Sequence, residues 1–340
     1  MAACKRFLLP FGLFGLIFVI QILSYRRDIS QENRGMMHVQ FLLCLLCILF
    51  LFLVKTRILV LFASLHFTAS ERIHQLQELR KQLILEDLSQ SKLKNFIVDD
   101  KHGIIYCYIP KVACTNWKRV LYALNQGEPY PDLVSIKSST VHKQFKFTLL
   151  NDYSRTEIKA KLRHYTKFLF VRDPFVRLVS AYRDKFLHND PYFYENYGRN
   201  MLRLYNNQPD PPKTEKAFRL GIRPSFYNFI QYLLDPQTER SAPFEPHWRQ
   251  MHRLCHPCLI EYDFIGHQET LQDDAQELLK MLKLEDSITF PSAYENVTDR
   301  DFLLNWFRAA PLEDRRKLYE LYEQDFRLFG YRRPSELLDD

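Results

Sequence analysis

Glycine is scarce in this chain, with 9 residues in 340, and the string Gly-x4-Gly-Lys-Ser/Thr does not occur. A phosphate-cradling loop must therefore be sought by position and not by glycine content. The loop and Mg²⁺-binding hydroxyl of an ATPase or GTPase are missing. Cysteine is at ordinary density, seven in all, which excludes a disulfide-packed miniprotein. An apolar share of 46% with 26% charged residues excludes a disordered chain and a collagen. The length suits one large domain with appendages, or two small ones. The net charge of +7 points to an anionic partner, whether nucleic acid, membrane surface, nucleotide or acidic polymer.

The apolar residues are concentrated first at the N-terminal side. Phe7 to Leu23 is almost wholly apolar, broken by Pro10 and Gln21, with Lys5 and Arg6 before it and Arg26 and Arg27 after. Phe41 to Val54 is a second such stretch, resuming as Ile58 to Phe67 after Lys55-Thr56-Arg57. A span needs about 20 residues, so each is near the lower limit. Neither has a polar face, which argues against soluble core helices, and residues 1–69 are expected to be a membrane anchor region with at least one span. Lys5 and Arg6 favour a cytosolic N terminus and a lumenal remainder. Two spans would reverse that, and a cleaved signal peptide lacks a clean small-residue site. Residues 70–96 read as a solvated helical stem, with Ile73, Leu76, Leu79, Leu83 and Leu88 on one face, too short for a coiled coil.

The remainder reads as an α/β domain over 97–332, with 333–340 as a tail. Ile104 to Ile109 is a continuous apolar run, as expected of a strand buried on both faces of a parallel sheet, and Pro110 ends it. After Lys111-Val112-Ala113-Cys114-Thr115-Asn116, a helix face follows in Trp117, Val120, Leu121 and Leu124, stopped by Asn125-Gln126-Gly127. A helix start carries unpaired N–H groups and the positive end of the dipole, so this strand–turn–helix unit is an anion site with Lys111 at its edge. A second unit begins with the strand Phe168 to Val171. Arg172 lies at its end, Asp173 is placed to cap the next helix, and Pro174 suits its first turn. Phe175, Leu178, Val179, Tyr182 and Phe186 share one face of that helix, and Arg177, Ser180 and Asp184 are expected on the other. Tyr262 to Ile265 reads as another strand. Leu271, Ala275, Leu278, Leu279 and Leu282 form one helix face; Leu318, Leu321, Tyr322 and Phe329 form another, closed near Gly330.

The pair of units, Pro-Lys-x-x-x-Thr-x-Trp at 110–117 and Arg-x7-Ser at 172–180, resembles the two cofactor motifs of sulfotransferases that use 3′-phosphoadenosine 5′-phosphosulfate (PAPS). More narrowly, YIPKVACTNWKRVL, KFLFVRDPFVRLVSAYRDKF, FIQYLLDP, APFEPHW and LCHPC resemble the Golgi carbohydrate sulfotransferases of the chondroitin and dermatan 4-O group. The resemblance covers about residues 97–332. It implies a P-loop-like fold with a central parallel sheet, and transfer of a sulfuryl group from PAPS, without a metal, to the 4-hydroxyl of N-acetylgalactosamine in a glycosaminoglycan. Another glycan acceptor is the alternative within the same chemistry, and a nucleotide kinase or NTPase the alternative outside it. The resemblance also implies a single-pass type II Golgi membrane protein with its domain in the lumen, and no nucleic-acid partner.

Residue by residue, the resemblance assigns Lys111 to the bridging oxygen of the donor. It assigns Val112, Ala113, Cys114, Thr115, Asn116 and Trp117 to the phosphosulfate. The second motif, Arg172, Asp173, Pro174, Phe175, Val176, Arg177, Leu178, Val179 and Ser180, lies toward the 3′-phosphate, gripped by Arg172 and Ser180. A base must take the sugar proton; His142, between the motifs, is the expected residue, with His247 and His164 as rivals. Cys255-His256-Pro257-Cys258 is weak as half a zinc site and reads better as a disulfide site, the two cysteines pairing with each other, or with Cys107 or another cysteine. Asn296-Val297-Thr298 is a glycosylation sequon. Arg183 to Arg223 holds eight Lys or Arg against five Asp or Glu, either a solvated surface or a track for a polyanion.

Overall fold

The structure, a computed structural model, describes residues 89–143, 146–240, 242–292 and 300–339. The expected membrane stretches, the stem up to residue 88 and the Asn296 sequon lie outside the described residues. Among the described residues no helix is long and apolar enough to cross a membrane.

Four strands form one sheet in sequential order: β1 (Phe96–Asp99), β2 (Ile104–Cys107), β3 (Thr166–Val171) and β4 (Phe264–His267). β2, β3 and β4 are parallel, with Tyr106 opposite Phe168 and Phe168 opposite Phe264. The sheet is nevertheless mixed and not purely parallel, because β1 pairs antiparallel to β2. The hairpin turns through Gly103, at φ 64°, a left-handed conformation that favours glycine. Its four residues are too short to give a hydrophobic period, which hid the strand at the end of the stem reading. The domain accordingly takes in residues before 97: Leu93 and Phe96 are fully buried.

Five helices bear on the site: α1 (Cys114–Gln126), α2 (Pro174–Phe186), α3 (Phe226–Leu234), α4 (Leu271–Met281) and α5 (Leu312–Leu328). α1 and α4 pack their apolar faces into the cluster around β2 and β3. α2, α3 and α5 form a second cluster around Trp248. The expected strand at 262–265 starts two residues later, because Asp263 is spent on the backbone of Lys167, donating to its carbonyl and accepting from its N–H. Gly330, at φ 74°, follows α5 as expected. The tail is part of the fold, since Leu337 and Leu338 are buried in the second cluster.

Gly266 of β4 faces Phe170 of β3, and a Cβ there would stand 2.3 Å from the Phe170 ring. The ring occupies the space that a side chain would need. Cys107 at the end of β2 is disulfide-bonded to Cys255 across 148 residues of chain, while Cys114 and Cys258 are free. Cys255 is thus committed, and the Cys-His-Pro-Cys string cannot offer two thiolates to one ion.

Gly266→Ala is expected to destabilise the domain by about 1–3 kcal/mol through overpacking, read by urea denaturation. Replacing both Cys107 and Cys255 by Ser is expected to cost about 2–5 kcal/mol by the same measurement, because a long loop is released in the unfolded chain. An unchanged midpoint in either variant contradicts the packing described.

Candidate active site

The C-terminal ends of the three parallel strands open on one cleft of about 610 Å³. β2 leads to Lys111, β3 to Arg172 and β4 to Gln268, and all three residues line it. Such a position is where open α/β sheets take ligands, because loops and helix starts converge there.

Lys111 and Ala113 both have left-handed backbones, at φ 69° and 46°, and Ala113 is the residue before α1. Neither is glycine, so the turn holds about 1–2 kcal/mol of strain at each residue. Val112 between them is fully buried, its N–H donating to the carbonyl of Ile109 at 3.3 Å, and Arg172 Nη1 donates to the carbonyl of Lys111 at 3.2 Å. These contacts keep the turn in place. The Asn116 and Trp117 N–H groups return to the Ala113 carbonyl. The N–H groups of Cys114 and Thr115, in the first turn, lie outside the helical ladder and at its positive end.

α2 starts as expected: Asp173 caps it, accepting from the N–H groups of Phe175 and Val176 at 2.9 Å, with Pro174 in the first turn. Burial, against those hydrogen bonds, pushes the Asp173 pKa up to about 6. Burial also lowers the pKa of Arg172, while Glu269, Asp173 and Tyr331 oppose the shift. Farther along the cleft, Asp184 pairs with Lys111 at 3.1 Å and with Lys185 at 3.3 Å. Burial works to raise the Asp184 pKa, but the two lysines outweigh it and leave it below its ordinary value.

Two histidines line the same cleft. His142 Nε2 is 3.0 Å from Thr115 Oγ1. Its pKa is pushed down to about 4, first by lost hydration and then by Lys118, His247 and Lys185, with Asp184 opposing. His247 is held differently: its Nδ1 is 2.9 Å from both carboxylate oxygens of Glu245, and its N–H donates to the same carboxylate at 2.6 Å. Phe193 meets the His247 ring edge-on at 5.2 Å.

The structure therefore brings Lys111, Val112, Ala113, Cys114, Thr115, Asn116, His142, Arg172 and Ser180 to one cleft. It places other candidates elsewhere. Trp117 is fully buried against Tyr106, Phe168, Phe170 and Phe290, and anchors α1 to the sheet. Phe175, Leu178 and Val179 are core, Pro174 is buried, Val176 packs against the same core, and Asp173 serves as a cap. His164 is exposed and not among the cleft residues. Arg177, expected on the open face of its helix, is 1% exposed. It donates to the carbonyls of Pro110 at 3.0 Å, Arg249 at 2.8 Å and Pro246 at 2.7 Å. Helical spacing alone assigned it to solvent; the extra loop over α2 that gives it carbonyl partners is a tertiary feature.

The residue reading missed Ser138, Lys185, Gln268 and Leu271 as cleft residues. Gln268 was accessible to the rule that strand ends supply ligands, and Lys185 follows Asp184 directly. Within 183–223, Arg199 pairs with Glu195 and Asp210, and Lys185 with Asp184 and Asp190, so part of the basic surplus is neutralised locally.

Residues 94–332 match the family described as the sulfotransferase family. The chain is 49% identical over 273 residues to carbohydrate sulfotransferase 12 of Mus musculus, covering 76% of this chain and 65% of that one. It is 48% identical over 272 residues to the Xenopus laevis protein of the same name, with the same coverage. Carbohydrate sulfotransferase 11 of Danio rerio is 42% identical over 252 residues, covering 74% of this chain and 70% of that one. The match thus spans about two thirds of the length of these relatives. No solved structure matches the chain.

Arg177→Met leaves three carbonyls without their buried donor and is expected to destabilise the domain by about 3–5 kcal/mol. Arg177→Lys is expected to restore little, since an ammonium lacks the planar fork of donors. Wild-type stability in Arg177→Met would contradict the contacts described. The His142 ring is expected to titrate by NMR with a midpoint near 4 and not at its ordinary 6.5. A folded-state value below the unfolded one means fewer protons bound when folded. Its contribution to stability is therefore lost as pH falls from 6.5 through about 4.

Proposed function

The chain belongs to the sulfotransferase family, and on that premise we propose that its domain transfers the sulfuryl group of PAPS to the 4-hydroxyl of N-acetylgalactosamine in chondroitin or dermatan. The observation that carries this reading is the convergence of Lys111 and the first turn of α1 with Arg172 and Ser180 on one cleft. The donor set suits a nucleotide with anionic groups at two positions: an ammonium with unpaired N–H groups, and a guanidinium with a hydroxyl. A volume of about 610 Å³ is of the size that holds a cofactor.

When bound, PAPS supplies an activated sulfuryl group whose leaving group is a phosphate. Lys111 neutralises the charge that develops on the bridging oxygen as the bond to sulfur breaks. The N–H groups of Cys114 and Thr115 and the Thr115 hydroxyl hold the phosphosulfate end. Arg172 and Ser180 hold the 3′-phosphate. Alignment and charge stabilisation are the whole of the protein's task here, as in phosphoryl transfer. The proton of the sugar hydroxyl goes to one of the two cleft histidines, His142 or His247.

A carbohydrate acceptor is supported by relatives named as carbohydrate sulfotransferases 12 and 11, and the narrower choice of the 4-hydroxyl rests on the resemblance of the quoted motifs. A Golgi-lumenal, type II placement is supported by the apolar N-terminal stretches and by the Cys107–Cys255 disulfide, a bond that persists in oxidising compartments.

Lys111→Ala is expected to lower kcat by about 10²–10³-fold in a radiolabelled PAPS assay with chondroitin and dermatan. Arg172→Ala and Ser180→Ala are expected to raise the KM for PAPS by about tenfold or more, a cost typical of a charge-assisted hydrogen bond. Disaccharide digestion of the product should show label at the 4-position of N-acetylgalactosamine. Full activity in all three variants contradicts the motif assignment, and label only on other glycans contradicts the acceptor.

A further inference from the structure

The two cleft histidines differ in what holds them. His142 Nε2 is engaged by the Thr115 hydroxyl, among Lys118 and Lys185, where a second positive charge is unwelcome. An ionised carboxylate only accepts hydrogen bonds, so the two 2.9 Å contacts from Glu245 place a proton on Nδ1 of His247. In the neutral ring this leaves the Nε2 lone pair free on the opposite edge. The carboxylate also stabilises the imidazolium that forms when Nε2 takes a proton, the same logic that a carboxylate–histidine pair serves in acyl transfer.

The segment bearing the pair is held by contacts on both sides. Pro246 and Arg249 give their carbonyls to Arg177. Trp248, fully buried, packs against Tyr197 at 5.0 Å, Phe229 at 5.6 Å and Phe193 at 5.8 Å, and its carbonyl accepts from the Tyr322 hydroxyl. Just beyond, buried Asp325 accepts from the N–H groups of Met251 and His252. The segment that carries His247 is thus tied to α2, which also carries Ser180, and to the buried cluster around Trp248.

Building on the sulfuryl-transfer reading above, we infer that His247 is the general base for the acceptor hydroxyl and that Glu245 is its positioning residue. As the acceptor oxygen bonds to sulfur, its proton passes to Nε2 of His247. The bond from sulfur to the bridging oxygen breaks, and its electron pair leaves with the 5′-phosphate of adenosine 3′,5′-bisphosphate, beside Lys111. The proton on His247 then returns to solvent. His142 belongs to the donor side, as the partner of Thr115.

The test has two arms on the full chain. In mildly alkaline buffer, ¹⁵N-histidine spectra are expected to show His247 with its proton on Nδ1, and Glu245→Gln to change that signal; a proton on Nε2 in the wild type overturns the inference. In the assay, His247→Ala and His247→Gln are expected to lose about 10²–10⁴-fold in kcat while binding adenosine 3′,5′-bisphosphate in calorimetry as the wild type does. Added imidazole is expected to restore part of the His247→Ala rate. His142→Ala is expected to act mainly on the KM for PAPS, without imidazole rescue, and His164→Ala to act on neither. Near-wild-type kcat in both His247 variants, or rescue of His142→Ala in place of His247→Ala, overturns the assignment and leaves the proposed reaction standing. Absence of transfer by the wild type to any glycan overturns the reaction itself.

Discussion

The guanidinium of Arg177 is the contact on which the cleft depends. It is withdrawn from solvent, and a buried charge is tolerated only when its donors are satisfied. Its donors reach one carbonyl before the Lys111 turn and two in the segment that carries His247. One side chain from α2 therefore ties the residue before the cationic turn to the segment that carries His247. Asp325, Tyr322 and Glu245 offset part of the burial that lowers its pKa. The same helix starts at the Asp173 cap and carries Ser180 and Asp184 on its cleft side, so α2 is both a wall of the site and its fastening.

The charges of the cleft are arranged around a strained turn. Two left-handed non-glycine residues turn the chain between β2 and α1, so that Lys111 and a helix start face the same space. Lys111 and Lys185 share the Asp184 carboxylate, and Arg172 is bonded back to the Lys111 carbonyl. Burial first, and then the nearby Lys118, His247 and Lys185, disfavour protonation of His142 and depress its pKa. A bound anion would meet groups that are already oriented, so little reorganisation is needed.

Much of this was legible in the residues. The turn with Lys111, the Asp173 cap and the apolar face of α2 follow from local chemistry and appear where spacing puts them, and the strand expected over 104–109 forms over its first four residues, 104–107. The misses have physical causes. β1 is four residues long and shows no period. Arg177 falls on the polar side of a helical wheel, yet finds three carbonyls that only tertiary folding brings to it. Trp117, read as part of a ligand motif, is a packing residue whose ring meets Tyr106 and Phe170 at a tilt and Phe168 edge-on. Glu245 and His247 lie two residues apart in sequence, but the place of His247 in the cleft follows from Arg177 and Trp248 and not from that spacing.

The most direct measurement is a crystal structure of the domain with adenosine 3′,5′-bisphosphate. The account predicts the 5′-phosphate against Lys111 and the first turn of α1, and the 3′-phosphate against Arg172 and Ser180, in the cleft that His142 and His247 also line. The nucleotide bound away from this cleft, or with its phosphates exchanged between the two ends, would contradict it.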